Sequence, residues 1–145
     1  MQASWQNEKL SVRLQWVKEG LKYFEQNREE IANDICEQMG RPLQQSRGEL
    51  NGFFERANYL CEIAEKTLSP DVIEGKAGFE RSIEHVPYGT LFVISAWNYP
   101  LLITVNSVVP ALIAGNTVLL KHSSLTPKIG QHFEKAFKKL GSYNN

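Results

Sequence analysis

The sequence predicts an α/β fold, in which a helical layer is followed by the start of a parallel sheet. Two observations support this prediction. Apolar residues recur at steps of three and four over the first 70 residues, which is the period of amphipathic helices. Beyond residue 86 the order becomes apolar run, apolar helix, apolar run and amphipathic helix, which is typical of parallel strands joined by a crossover helix.

Three helices are predicted in residues 1–70. The first covers roughly residues 5–26, and its apolar face contains Leu10, Leu14, Val17, Leu21 and Phe24. The second should end at Gly40-Arg41-Pro42, because Gly is favoured just beyond a helix and Pro cannot continue one. The third begins near Leu43 and ends at Ser69-Pro70. Together they form a layer with a polar outer face.

Residues 71–86 differ from the helical layer. Gly75 and Gly78 interrupt them, and residues 79–84 alternate between apolar and polar side chains. Alternation between glycine turns is typical of a solvated hairpin or edge ribbon. We therefore expect this ribbon to connect the helical layer to the sheet.

Residues 87–145 predict a βαβα unit. Residues 91–95 and 117–120 are short apolar runs, expected to be strands covered on both faces. Residues 101–114 form an apolar helix capped at Gly115-Asn116, and Thr126-Pro127 opens a last helix that ends at Gly141. Its inner face should contain Ile129, Phe133, Phe137 and Leu140. Two parallel strands are too few for a stable sheet, so we expect most of the sheet to be missing.

Charge and cysteine content limit the possible functions. The 145 residues hold 16 basic and 16 acidic side chains, so nucleic acid or an anionic membrane surface is not expected as the main partner. Cys36 and Cys61 lie in helical patterns outside any CxxC motif, which favours reduced thiols and a cytoplasmic location. No signal peptide is evident at the N-terminus. We expect no metal site, because His85, His122 and His132 lack ligand spacing.

Residues 86–120 contain no charged side chain, which indicates either a deep core or a membrane segment. Residues 101–120 have the length of a membrane span. Asn106, Pro110 and Gly115-Asn116 interrupt them, however, and each would be costly or helix-breaking in lipid. We therefore favour the buried core.

Asn98 is the sharpest candidate for chemistry. It follows the first apolar strand, and its neutral NH₂ group can donate to a developing oxyanion in a dry site. On residue type alone, an Asn at a strand end more often forms a turn and is satisfied by backbone. Lys121 follows the second strand at the carboxyl edge, where α/β sheets bind ligands, although a solvated lysine is an alternative. The segment His122-Ser123-Ser124 could contact ribose or phosphate, or form a plain loop.

These motifs carry a family resemblance. The run Pro87-Tyr88-Gly89, the box Ile94-Ser95-Ala96-Trp97-Asn98-Tyr99-Pro100 and residues 110–121 (PALIAGNTVLLK) resemble the aldehyde dehydrogenase superfamily. The family pattern is a PxG turn, a PWNxP-like box, a pALaaGNtVvlK strand and a TP helix start. Met39-Gly40-Arg41-Pro42, followed by Glu49, also resembles the family's GKP segment and its acidic residue. The resemblance spans essentially the whole chain.

The resemblance implies roles for individual residues. It implies that residues 1–145 form an incomplete, Rossmann-like NAD(P)-binding domain, with a helical layer (1–70), an oligomerisation ribbon (71–86) and a βαβα unit (87–145). Asn98 matches the amide that helps hold the oxyanion of the thiohemiacetal, and Lys121 matches the lysine that hydrogen-bonds the adenosine ribose. The strand end against the cofactor is matched by Ile94, Ser95, Ala96 and Trp97.

The sequence also departs from the family pattern. Ala96 replaces the commoner proline. Ser124 stands where NAD-preferring members often carry a glutamate, and a serine does not repel a 2′-phosphate, so NADP becomes possible beside NAD. We expect the chain to end before the family's general-base glutamate and nucleophilic cysteine. It should therefore be inactive alone, bind cofactor weakly and self-associate as a homo-oligomer. The alternative is a non-catalytic interaction module.

Overall fold

The computed structural model describes residues 2–75 and 77–141. Six helices and four strands are assigned within these residues. In chain order they are α1 (Gln2–Trp5), α2 (Leu10–Gln26), α3 (Arg28–Met39), α4 (Leu43–Leu68), β1 (Asp71–Val72), β2 (Ser82–Ile83), β3 (Thr90–Ile94), α5 (Pro100–Ile113), β4 (Thr117–Lys121) and α6 (Pro127–Gly141). The α/β class predicted from the sequence is confirmed.

The first predicted helix is wrong in one respect, because α1 and α2 are separate. Trp5 is buried, and its indole Nε1 donates to the carbonyl of Leu112, 3.1 Å away. Gln2 accepts a hydrogen bond from the backbone N–H of Thr117 at 2.7 Å. These contacts hold α1 against the end of α5 and the start of β4, so the chain must turn before α2 begins.

The ends of α3 and α4 follow local sequence. Gly40 adopts φ 68°, the left-handed conformation that closes many helices, and its N–H donates to the carbonyl of Cys36. The helix α4 ends at Leu68, and the Ser69 hydroxyl donates to the Glu65 carbonyl at 2.6 Å. Both stops agree with the sequence prediction.

The hydrophobic core lies between the helices and the inner face of the sheet. Phe24 and Phe53 are fully buried, with ring centroids 4.6 Å apart, and Phe133 packs beside them. Ile129 and Phe133 face this core and Phe137 packs against it, as predicted for α6. Leu140 lies outside the residues whose side chains are described. Fully buried residues also include Ile31, Ile35, Leu50, Leu101, Val105 and Val109.

The strands form two small sheets. β1 and β2 pair antiparallel, with Asp71 opposite Ile83, which gives the predicted ribbon. β3 and β4 pair in parallel, with Thr90 opposite Thr117 and Ile94 opposite Lys121. α5 crosses between them and packs against α4, as expected for a crossover helix.

The prediction that these two strands are covered on both faces is wrong for this chain. The outer face of the sheet is open: Phe92, Ile94 and Leu119 are each more than 60% exposed. The inner side chains Val118 and Leu120 pack against the core. The apolar runs correctly indicated apolar residues on both faces of the sheet, but the helices of the described residues cover only one of these faces.

The uncharged segment 101–120 is divided between α5 and β4. Among the described residues, no helix combines the length and apolar character needed to cross a membrane.

Candidate cofactor-edge site

The carboxyl ends of β3 and β4 place two candidate residues side by side. Ile94 and Lys121 are register partners, so both lie at the last position of their strands on the outer face. Both side chains are exposed. An apolar side chain beside an ammonium at this edge is suited to a ligand with a flat apolar part and anionic groups.

Ser95 follows β3 but turns inward. Its side chain is buried and its hydroxyl lies within hydrogen-bonding distance of the Thr104 hydroxyl. The Thr104 hydroxyl itself donates to the carbonyl of Pro100 at 2.6 Å, so the Ser95 hydroxyl donates to Thr104. The N–H of Ser95 donates to the carbonyl of Lys121 at 3.1 Å. Ser95 therefore braces the strand end from beneath.

His122 extends this buried polar layer. Its Nε2 lies 3.3 Å from the Thr104 hydroxyl and 3.3 Å from the Pro100 carbonyl, and its Nδ1 lies 3.3 Å from the Thr126 hydroxyl. Burial lowers the pKa of His122, although its hydrogen bonds to backbone act in the opposite direction. A neutral imidazole thus connects β4, α5 and the start of α6. Sequence reasoning left His122 as a loop residue and missed Thr104.

Gly130 allows α6 to approach His122. A Cβ atom at this glycine would lie 2.8 Å from the Cβ of His122, which is closer than carbon atoms approach in folded proteins. The glycine is therefore needed for close packing of α6 on the loop that carries Lys121 and Ser124. Ser124 is exposed in that loop, just before the first turn of α6.

The loop of residues 95–99 leads from β3 to α5 and presents Asn98. Ala96, Trp97, Asn98 and Tyr99 are all exposed, and Trp97 is about half exposed. The backbone carbonyl of Asn98 accepts a hydrogen bond from Nη2 of Arg41. The Arg41 guanidinium also lies over the Tyr99 ring, 4.6 Å from its centroid. The loop is thus attached to the turn between α3 and α4.

Glu49 joins this turn to the start of α5. Its side chain on α4 is 1% exposed and pairs with Nη1 of Arg41. The other carboxylate oxygen accepts from the N–H groups of Leu101 and Leu102, at 2.8 and 3.2 Å. The negative charge at the N-terminus of α5 is favourable, because those N–H groups have no partner within the helix. The sequence motif marked Arg41 and Glu49, but it did not reveal that they pair with each other or that Arg41 reaches Asn98.

The two cysteines are not placed for nucleophilic chemistry at this edge. Cys36 belongs to α3 and Cys61 to α4, and both are free thiols. Burial raises the pKa of Cys61, with Lys18 acting weakly in the opposite direction. A buried thiol with a raised pKa stays protonated at neutral pH and is a poor nucleophile.

Among the described residues, one set of potential metal ligands lies between α3 and α6. Glu30, Asp34 and His132 offer donor atoms within 4.8 Å of one another. His132 Nε2 is already 2.9 Å from Asp34, and Lys128 Nζ is 2.6 Å from the other Asp34 oxygen. The Asp34 carboxylate is therefore already paired with a lysine ammonium and with the imidazole.

A groove of about 600 Å³ lies at the amino ends of the strands, away from the candidate site. It is bounded by the ribbon tail and by α5, with lining residues that include Leu68, Val86, Tyr88, Leu91, Pro110 and Asn116. The Asn116 carboxamide oxygen accepts from the Gly89 N–H at 2.9 Å, which fixes this end of the sheet. Ligands of α/β sheets bind at the carboxyl ends, so this groove is not the expected cofactor site.

Comparison with known proteins agrees with this geometry. The chain is 34% identical over 119 residues to a D-glyceraldehyde dehydrogenase (NADP(+)) of Thermoplasma acidophilum, covering 81% of this chain and 24% of that protein. It is 38% identical over 113 residues to a succinate-semialdehyde dehydrogenase [NADP(+)] of Deinococcus radiodurans, covering 78% of this chain and 24% of that protein.

A solved structure of a Staphylococcus aureus betaine aldehyde dehydrogenase in complex with NAD+ matches with a TM-score of 0.86 at 25% identity. That match covers 94% of this chain and 28% of the other. The chain thus spans about a quarter of the length of the curated relatives described here. The sequence model of the Aldehyde dehydrogenase family matches residues 1–142. On these matches, and on the fold that carries them, the chain belongs to the aldehyde dehydrogenase family.

Proposed function

We propose that this chain supplies part of the cofactor cleft and one oxyanion donor of an NAD(P)-dependent aldehyde dehydrogenase, which oxidises an aldehyde to a carboxylic acid. The observation that carries the proposal is the pairing of Ile94 with Lys121 at the carboxyl edge, beside the exposed loop of Asn98. Within the proposal, residues 1–145 are a partial cofactor-binding domain. Its parts are the helical layer 1–70, the ribbon 71–86 and the βαβα unit 87–145.

The chemistry of the side chains at the carboxyl edge of the sheet is suited to a dinucleotide. Ile94 is 67% exposed and offers an apolar surface, while Lys121 offers an ammonium for ribose or phosphate oxygens. Ala96 and Trp97 extend the exposed surface, and Ser95 supports it from below. Ser124 adds a hydroxyl without negative charge. When bound, the nicotinamide supplies the acceptor for the hydride that leaves the substrate carbon.

Asn98 is proposed to act on the developing negative charge. Attack by a thiolate on the aldehyde carbon converts the carbonyl oxygen into an oxyanion. The Asn98 carboxamide can donate one N–H to that oxygen and carries no charge that needs a counter-ion. Removing one such donor costs about 3–4 kcal/mol of transition-state stabilisation in comparable sites. Neither Cys36 nor Cys61 is proposed as the nucleophile, because both belong to the helical layer.

We expect NADP to be accepted at least as well as NAD. A serine at position 124 lacks the carboxylate that would repel a 2′-phosphate, and Lys121, at the end of β4, is a cation close to it in sequence. The curated relatives from Thermoplasma acidophilum and Deinococcus radiodurans carry NADP in their names, which supports this preference.

Nuclear magnetic resonance titration tests the proposed edge directly. Adding NADP+ to ¹⁵N-labelled chain should shift the resonances of Ile94, Lys121 and Ser124, with a dissociation constant no tighter than about 1 mM. Lys121→Met should weaken the shifts, whereas Lys66→Met on α4 should leave them unchanged. Shifts that are unchanged by Lys121→Met, or that map to the groove at the amino ends of the strands, would contradict the assignment of the cofactor site to the carboxyl edge.

The chain by itself is proposed to oxidise no aldehyde. Purified chain with NAD+ or NADP+ and a panel of aldehydes should yield no reduced cofactor above background. Turnover that survives the replacement of both cysteines by serine would refute the thiolate mechanism for this chain.

We also propose that the chain self-associates in the cytoplasm. The ribbon exposes Val72 (84%) and Ile83 (55%), and the open sheet face exposes Phe92 and Leu119. Contiguous apolar surface of this kind is uncommon on soluble monomers.

The same surfaces favour the second candidate function, a non-catalytic interaction module. NADP+ titration distinguishes the two functions, because that module binds no cofactor. Light scattering after size exclusion should give at least a dimer, reduced by Ile83→Lys or Phe92→Lys, and a monomer at high concentration would refute self-association.

A further inference from the structure

We propose that Arg41, held by Glu49, is a positioning residue that fixes the Asn98 loop and thereby aims the Asn98 carboxamide. The inference rests on the proposed role of Asn98 as an oxyanion donor, and it adds two residues that act through Asn98 without touching substrate. A donor contributes to catalysis only when it is held near the position of the oxyanion, so a device that orders it contributes to the rate.

The Arg41 side chain makes three contacts with one planar group. Nη1 pairs with Glu49, Nη2 donates to the backbone carbonyl of Asn98, and the guanidinium plane lies over the ring of Tyr99. The Arg41 side chain is 11% exposed; its contact with Glu49 is partly buried, whereas its contact with the Asn98 carbonyl lies at the surface. The Arg41 side chain therefore holds both Asn98 and Tyr99.

Glu49 fixes the position of Arg41 relative to α5. One carboxylate oxygen binds Arg41, while the other accepts from the N–H groups of Leu101 and Leu102 at 2.8 and 3.2 Å. The Glu49 side chain is 1% exposed, and a carboxylate buried this far must keep its partners. The pair thus joins the turn after α3, the middle of the Asn98 loop and the first turn of α5.

The loop is consequently fixed at three points. Ser95 is held at one end by Lys121 and Thr104, and Leu101 is held at the other end by Glu49. Arg41 holds the middle, at the carbonyl of Asn98. Removing the middle contact should release Asn98 while the ends remain in place. The effect of losing each of the three contacts can therefore be predicted and measured separately.

An arginine is needed for this arrangement. A guanidinium is a rigid fork that can serve a carboxylate with one arm and a carbonyl with the other, while its plane stacks on an aromatic ring. An ammonium is a point donor on a flexible stem, so Arg41→Lys should keep the pair with Glu49 and lose the fork contact with Asn98 and the stacking on Tyr99.

Backbone dynamics of the ¹⁵N-labelled full chain test the proposal. In the wild type, the order parameter S² at Asn98 should be near the rigid value of about 0.85. In Arg41→Lys it should fall below about 0.6, while hydrogen-exchange protection of the Leu101 and Leu102 amides stays within twofold of the wild type. In Glu49→Gln both the order at Asn98 and that protection should fall.

Arg47→Lys is the matched control. Arg47 lies on α4 and pairs with Glu29 at the surface, with Nη2 2.7 Å from the carboxylate and a side chain 45% exposed. The same substitution there should leave S² at Asn98 unchanged. Unchanged order at Asn98 in Arg41→Lys would overturn the proposal, and so would equal loss in Arg47→Lys.

Two further readouts keep the test decisive. If Arg41→Lys fails to fold, the Arg41 guanidinium of the wild type can still be observed. Nη1 and Nη2 groups that each hold a partner rotate slowly and should give separate resonances. Averaged resonances would overturn the proposal. The order-parameter, hydrogen-exchange and guanidinium measurements require neither turnover nor cofactor, so they are independent of the NADP+ titration. Loss of order at Asn98 with no NADP+ shifts at Lys121 would reject the proposed function and retain the positioning role, whereas the reverse result would reject the positioning role.

Discussion

Tyr23→Phe is expected to destabilise the fold through a buried hydrogen-bond network. His132 on α6 is 1% exposed and lies between two partners. Its Nε2 is 2.9 Å from an Asp34 oxygen, and its Nδ1 is 2.9 Å from the Tyr23 hydroxyl. Ionised Asp34 can only accept, so Nε2 donates to it, and in that tautomer Nδ1 accepts from the Tyr23 hydroxyl. The substitution therefore leaves a buried acceptor without its donor.

The magnitude follows from the burial of His132. An unsatisfied buried polar group costs about 1–3 kcal/mol, and near-complete burial places Nδ1 toward the middle of that range, at about 2 kcal/mol. For a chain of 145 residues this lowers Tm by about 6 °C. The Tyr23 hydroxyl stays protonated and able to donate at neutral pH, because burial and the neighbouring Glu30 and Asp34 raise the pKa of Tyr23.

Urea unfolding followed by tryptophan fluorescence measures this loss. Tyr59→Phe is the control, because Tyr59 on α4 is 52% exposed. The control should change the free energy of unfolding by less than about 0.5 kcal/mol. Equal effects of the two substitutions would refute the network, as would a protonated Nδ1 in the ¹⁵N spectrum of His132 at neutral pH.

The remaining predictions concern His122 and two glycines, one just before α4 and one inside it. Burial lowers the pKa of His122, so the unfolded chain takes up the proton first as pH falls. The free energy of unfolding should thus decrease below pH of about 6.5, less steeply in His122→Asn, and an NMR titration midpoint at or above the ordinary value would contradict this. Gly40→Ala should destabilise the chain by about 1 kcal/mol, because φ at Gly40 is 68° although no atom lies within 4 Å of an added Cβ. Gly48→Ala, at an equally open position inside α4, should stabilise it by about 0.5–1 kcal/mol, and similar effects at both glycines in thermal melts would disprove the role of φ.

Local signals in the sequence were sufficient for most of the secondary structure. Gly40 and Ser69-Pro70 marked helix ends that the structure places at Met39 and Leu68. The apolar runs after residue 86 marked both parallel strands. These signals succeed because capping, turn conformation and helical period depend on neighbours in the chain.

The candidate site was predicted in part. The motif indicated Asn98, Lys121 and the strand end from sequence alone, and their roles remain predictions. Thr104 was missed, although a threonine four residues after Pro100 in an apolar helix is itself a signal of a buried polar contact. His122 was treated as a loop residue, because nothing local shows that α6 packs against it.

The sequence by itself determined the order and ends of most elements, the parallel pairing and the family, since each depends on short motifs. Tertiary structure decided the break after Trp5, the open outer face of the sheet and the link from Glu49 through Arg41 to the Asn98 loop. The residues in these contacts are far apart: 107 positions separate Trp5 from Leu112, and 52 separate Glu49 from Leu101. Helix packing decides which polar groups meet across such separations, because it sets the distances between their side chains. It also excludes water from buried polar groups, which must then pair with each other.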